Sequence, residues 1–286
     1  MAAIASGLRK VTRLGWRGAD GRRHLARIAA LGPVHHALFA LRRLRKADDP
    51  FSRTHPFDVE YGVRTSGFLP AWLLWSGSSA DAHSTAYAGC QPSCLRAALR
   101  SLPGLEHSQF LDLGCGMGRA LIVASEFPFA GIMGVELSSA LARTAGRNVR
   151  TVAARHSLRT AMTVRQGDAS QVAFPSRHLV VFLYHSFGAA LVETIARRVA
   201  AHVGDGGEAF FIYENPVHGA VLDAMAEYTR WSAAYVRHDP QERGFGPEDG
   251  EAVVVWRAGR PGTAMPAADA GRGIVITKPG WRAELL

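Results

Sequence analysis

Phe110-Leu111-Asp112-Leu113-Gly114-Cys115-Gly116-Met117-Gly118-Arg119-Ala120 is the stretch whose reading decides the fold. Three apolar residues flank one acid, three glycines follow at alternate positions, and the apolar run Leu121-Ile122-Val123-Ala124 begins directly after. That order predicts a buried strand, a tight turn and a helix. Glycine suits the turn because it reaches backbone angles that other residues avoid, and because a ligand can approach a main chain that carries no side chain. The helix that follows offers unpaired N–H groups to whatever sits there. A dinucleotide-binding turn would read G-x-G-x-x-G, with its acid about 20 residues on. Here the glycines run G-x-G-x-G, and Asp112 stands two residues before the first. Glu136 ends the next apolar run, Ile132-Met133-Gly134-Val135, and Asp168 closes the one after, Met162 to Gly167. Three acids at the ends of successive parallel strands would line the sheet edge where open α/β folds bind ligands.

The segments D-L-G-C-G-M-G, G-V-E-L-S and Q-G-D-A resemble the nucleotide half of class I S-adenosylmethionine-dependent methyltransferases. The resemblance implies that Gly114, Gly116 and Gly118 hold the methionine end of S-adenosylmethionine, with Asp112 near it. It implies that Glu136, with Leu137 beside it, grips the ribose hydroxyls, and that Asp168 and the backbone of Ala169 face the adenine. A carboxylate can accept two hydroxyl hydrogen bonds, which a ribose diol supplies. The plainer alternative for Glu136 and Asp168 is that each caps the helix after it.

Composition bounds the rest. The chain has 286 residues, which fits one large domain with appendages or two small ones, and its 48% hydrophobic content is ample for a core. Three cysteines, Cys90, Cys94 and Cys115, suggest no disulfide framework and too few ligands for zinc, so a reducing compartment and no metal are expected. No apolar run is long enough to span a bilayer. The net charge is +9, and residues 1–46 carry eleven Arg or Lys against one acid, Asp20. The basicity therefore belongs to an arm. Its second helical pattern, Val34 to Lys46, sets Val34, Leu38, Leu41 and Leu44 on one face, with four cations at its end. Such a helix suits an anionic membrane surface or nucleic acid, or simply packs with its arginines solvated. The expected location is cytoplasmic, with the arm as a means of membrane association.

The expected division is a basic arm (1–46), a cap and lead-in (47–104), a cofactor-binding core (105–258) and a tail (259–286). In the lead-in, F-D-x-E-Y-G-V-x-T-S-G-F resembles a segment found before the core in a little-characterised group of bacterial methyltransferases. Thr65-Ser66-Gly67 would suit a loop over a pocket, or a plain turn between packing segments. In that group a tyrosine at the position of Tyr87 sits close to the cofactor. The core alternates strand and helix: strands at about 109–113, 131–136, 161–166, 179–184 and 208–213, then an antiparallel pair at about 231–237 and 251–257. Helices are expected from the glycine turn to about Phe127, from Ser138 to about Arg155, over about 189–202 with Gly204 as the stop, and near 217–228. The sum is a doubly wound seven-strand sheet, mostly parallel, with helices on both faces and a helical N-terminal extension.

Methyl transfer is an in-line displacement in which the protein positions the nucleophile and strips its solvent. The acceptor should lie beyond the fourth strand, at Tyr184-His185-Ser186-Phe187-Gly188. The resembled bacterial group usually shows Asn-Pro-Phe here. His185 and Ser186 replace the amide and proline, which speaks against an amine acceptor. His185 then becomes the general-base candidate, with Tyr184 beside it. Phe187 is read as a wall for substrate and Glu214 as a second polar group on the same edge. The resemblance implies methyl transfer from S-adenosylmethionine to an O or N nucleophile of an unidentified small molecule or protein. The alternatives are a cofactor-binding module without turnover and a protein-lysine N-methyltransferase.

Overall fold

The computed structural model describes residues 53–70, 73–74, 86–184, 187–246 and 248–259, together with strands 274–278 and 281–285. The basic arm and most of the residues after 259 lie outside the described residues, as do His185 and Ser186.

A short helix α1 (Pro56–Tyr61) leads to the strand pair β1 (Phe68–Leu69) and β2 (Tyr87–Ala88), then α2 (Pro92–Arg100). The core follows as β3 (Gln109–Leu113), α3 (Arg119–Ala124), β4 (Gly131–Glu136), α4 (Ser139–Arg155) and β5 (Met162–Gln166). It continues as β6 (His178–Tyr184), α5 (Ala189–Val203), β7 (Glu208–Glu214), α6 (Gly219–Asp223), β8 (Tyr228–Arg237) and β9 (Gly250–Gly259). A hairpin, β10 (Ile274–Lys278) with β11 (Trp281–Leu285), forms its own two-stranded sheet.

Seven strands make the main sheet in the order β5-β4-β3-β6-β7-β9-β8. The first five are parallel, and β9 inserts antiparallel between β7 and β8. This is the seven-strand, mostly parallel layout expected from the sequence. Its order reverses between β3 and β6, which opens a crevice at their carboxyl ends.

Alternation along the strands builds a core on each face. Leu111, Leu113, Val181, Leu183 and Phe211 face α5, whose Leu191, Val192, Ile195, Ala196 and Val199 fall on one helical side. Phe110, Ile132, Val180, Phe182 and Ile212 face α2, α3 and α4. β6 is buried on both faces, so its residues 179–183 are all apolar. Ser138 caps α4 by accepting from the Leu141 N–H. Gly204 ends α5 at φ 51°.

Two expectations need adjusting. α3 stops at Ala124 rather than near Phe127, and α6 spans far less than 217–228. Before α6, Asn215 holds φ 50° and the Gly219 N–H bonds the Pro216 carbonyl; after it, Tyr228 N–H bonds Met225 and the chain turns into β8. The lead-in packs against this core. Phe57, Val63, Cys94, Leu95 and Leu99 share one hydrophobic cluster with the core strands.

Candidate functional site

The glycine turn begins where β3 ends. The N–H groups of Gly114 and Cys115 both donate to the Val135 carbonyl, at 2.9 and 3.0 Å, tying the turn to β4. Gly114, Gly116 and Gly118 take φ values of 78°, 54° and 86°, a region that strains any L side chain. Gly116 is needed twice over. A Cβ there would stand 2.3 Å from the ring of Tyr87, which packs across the turn.

Around this turn lies a cleft of about 870 Å³, counting space open to solvent. Asp112, Gly114, Gly116, Glu136, Leu137, Asp168, Ala169 and Tyr87 all line it, as do Tyr184 and Phe187 at the other end. Gly118 lies at the back of the turn, packed on Ala145 of α4.

The three acids differ in how they are held. Glu136 accepts from the Gly116 N–H at 2.9 Å with one oxygen and from the Ser138 N–H at 2.8 Å with the other. Each carboxylate oxygen can accept a further bond. Burial raises the Glu136 pKa, and the N–H groups of Ser138, Gly116 and Leu137 oppose the rise. Asp168 accepts from Ser170 N–H at 2.8 Å and so caps the short 3-10 turn Ala169–Gln171, as the plainer reading held, while still lining the cleft. Asp112 is 4% exposed and accepts no hydrogen bond from a described residue. Burial, and then the charge of Glu136, push its pKa well above the usual carboxylate range. Such a group is short of a cation or a donor.

The F-D-x-E-Y-G-V-x-T-S-G-F segment works as a latch rather than as a loop with free hydroxyls. Asp58 accepts from Thr65 N–H and Ser66 N–H, each at 2.8 Å, and from both of their hydroxyls. Thr65 is fully buried. Its carbonyl accepts from the Tyr87 hydroxyl at 2.6 Å, and its Oγ1 accepts from Arg119 Nε at 2.7 Å. The latch thereby fixes the ring that covers the glycine turn.

Arg119 was not singled out in the sequence. It is 4% exposed, lines the cleft and also donates to the Cys90 carbonyl at 2.9 Å. A signal existed. It is the lone cation of a helix whose other residues are all apolar, and it stands at an N-terminus, where the helix dipole disfavours positive charge.

At the far end, Tyr184 closes β6 and its hydroxyl donates to Glu251 Oε1 at 3.0 Å. Phe187 is 6% exposed and forms an apolar wall with Leu191. Glu214 does not line the cleft. It is fully buried behind Tyr184 and accepts from the Gln91 N–H at 3.1 Å at the start of α2. His185 lies outside the described residues. The three cysteines are free and buried.

No family model matches the chain, and no curated protein does. Solved structures with a similar arrangement include the B. subtilis tRNA methyltransferase TrmK, at 16% identity and TM-score 0.43, over 60% of this chain and 68% of that one. Magnesium protoporphyrin IX methyltransferase (ChlM) from Synechocystis, solved with bound SAM, matches at 14% identity and TM-score 0.40, over 58% and 76%. An RNA methyltransferase from Salinibacter ruber, in complex with S-adenosyl-L-homocysteine, matches at 15% identity and TM-score 0.40, over 59% and 92%.

Proposed function

We propose that this protein binds S-adenosylmethionine in the cleft and transfers its methyl group to an O or N nucleophile of a small molecule or protein. One observation carries the reading: the glycine turn, Asp112, Glu136 and Asp168 line one cleft at the carboxyl edge of a parallel sheet, and that cleft runs on to Tyr184 and Phe187.

The residues fit the cofactor. Asp112 is a buried carboxylate with no donor among the described residues, suited to the positively charged methionine end. The backbone at Gly116 is bare on the side that Tyr87 covers. Glu136, already fixed by two N–H groups, would take the ribose diol on its remaining lone pairs, and Asp168 with Ala169 would face the adenine. When bound, the cofactor supplies an electrophilic methyl group on a sulfonium. The chain's part is to orient the nucleophile and keep water out, for which Phe187 and Leu191 provide the wall. Under this reading Tyr184, which lines the far end of the cleft, takes the acceptor's proton. His185, next in sequence, is a second proton acceptor under this reading.

The test is incubation of the full chain with methyl-labelled S-adenosylmethionine and fractionated cell extract. Label moving into a fraction supports transfer. Binding without label in any fraction supports a cofactor-binding module instead, and label on lysine of a peptide array supports the protein-lysine alternative.

A further inference from the structure

Behind the transfer end sits an acid pair that cofactor binding leaves unused. Glu214 at the end of β7 and Glu251 near the start of β9 are 0% and 5% exposed. Glu214 stands opposite Val253 in the β7–β9 ladder, two residues from Glu251, so the two acids share one face of the sheet. Glu214 Oε1 takes the Gln91 N–H and Glu251 Oε1 takes the Tyr184 hydroxyl, while both Oε2 atoms are buried with no donor among the described residues. Two ionised carboxylates so placed repel and leave two orphan oxygens. One shared proton turns the contact into a hydrogen bond and satisfies both. Among the described residues, the other titratable groups facing the pair are Cys90, Cys94 and Glu242, besides Tyr184.

Helix capping explains Glu214 in part, since Gln91 precedes α2. It does not explain Glu251, which reaches Tyr184 instead. Tyr184 lines the cleft and so joins it to the pair.

We propose that Glu251, with Glu214 behind it, receives the proton released by the methyl acceptor, acting through Tyr184. The acceptor's O–H or N–H proton moves to Tyr184 Oη as the Tyr184 proton moves to Glu251 Oε1. The electron pair of the broken bond stays on the acceptor, which becomes the nucleophile. The pair goes from one proton to two and returns the extra one through Tyr184 after product leaves. The acceptor class follows, on the premise that the methyl-transfer reading holds: an alcohol, phenol or ammonium that arrives protonated, not a thioether or tertiary amine. Burial and the facing carboxyl both push Glu214 well above the usual carboxylate range, so the pair's first proton settles there and the relayed one goes to Glu251.

Two readouts test this. The first needs no acceptor. In infrared spectra of the full chain at neutral pH, Glu251→Gln and Glu214→Gln should each lose intensity in the carbonyl band of neutral carboxylic acid. Spectra unchanged in both variants overturn the shared proton. The second is label transfer into the extract fraction that the wild type methylates. Glu251→Gln and Tyr184→Phe should each slow it by about 100-fold or more. The double variant should be no slower than either, because the groups act in series. Cofactor affinity by calorimetry should stay at the wild-type value, and Glu251→Asp should restore part of the rate with a displaced pH profile. Wild-type rates in Glu251→Gln or Tyr184→Phe overturn the relay; should Glu251→Gln not fold, Tyr184→Phe decides alone. A wild type that labels no fraction removes the methyl-transfer reading itself.

Discussion

Asp112, near the end of β3, accepts no hydrogen bond from a described residue. Its carboxyl is held well above the usual range, by burial first and then by Glu136. Below that raised value the carboxyl is neutral in the ligand-free protein. Its contribution to stability is therefore greatest below the ordinary carboxylate range and is lost as pH rises toward the raised value. A cationic ligand favours the ionised form, so binding should release a proton and tighten as pH rises through that window. Calorimetry of S-adenosylhomocysteine in two buffers of different ionisation enthalpy reads this release. Asp112→Asn should abolish it, and heats that do not depend on buffer in the wild type contradict the assignment. Gly116 makes the second prediction at this scale. Gly116→Ala places a Cβ into the Tyr87 ring at positive φ, so S-adenosylhomocysteine binding should fall at least 10-fold, with a lowered melting temperature. Unaltered binding would show that the ring does not cover the ligand path.

Asp58, Thr65, Tyr87 and Arg119 couple α1, the β1–β2 pair and α3 into one support for the turn. Asp58→Ala leaves four donors without their acceptor. It should cost about 1–3 kcal/mol of stability, read by denaturant titration, and should weaken S-adenosylhomocysteine binding although Asp58 does not line the cleft. Intact affinity in a destabilised variant would confine the latch to folding. This element also marks where sequence reading stopped. The strands and the three acids were legible because each acid ends an apolar run of strand length, and that pattern is local. The turn was legible for the same reason. Asp58 and Thr65 belong to the F-D-x-E-Y-G-V-x-T-S-G-F motif, yet the Thr65 bond to Arg119 joins residues far apart in sequence, and no spacing announces it. Arg119 carried a local signal, one cation on an apolar helix. Glu251 carried none, since an acid at the start of an exposed-edge hairpin looks like any solvated charge until β9 is seen inserted beside β7.

At the scale of the whole molecule, the described residues close a seven-strand sheet with a covered core on each face. The lead-in packs against that body, because α1 and α2 contribute to the same core as β3 and β6. No helix among the described residues is long and apolar enough to cross a membrane. Removing residues 1–46 should leave the fold and cofactor binding unchanged, by circular dichroism and calorimetry. An insoluble or non-binding truncation would make the arm part of the domain. The most direct test of the central claim is a calorimetric titration of the full chain with S-adenosylhomocysteine, beside Glu136→Ala. The account predicts saturable one-site binding, weakened in the variant by about 1–3 kcal/mol, the worth of hydrogen bonds to a charged group. No binding to the wild type, or equal binding to both, would contradict it.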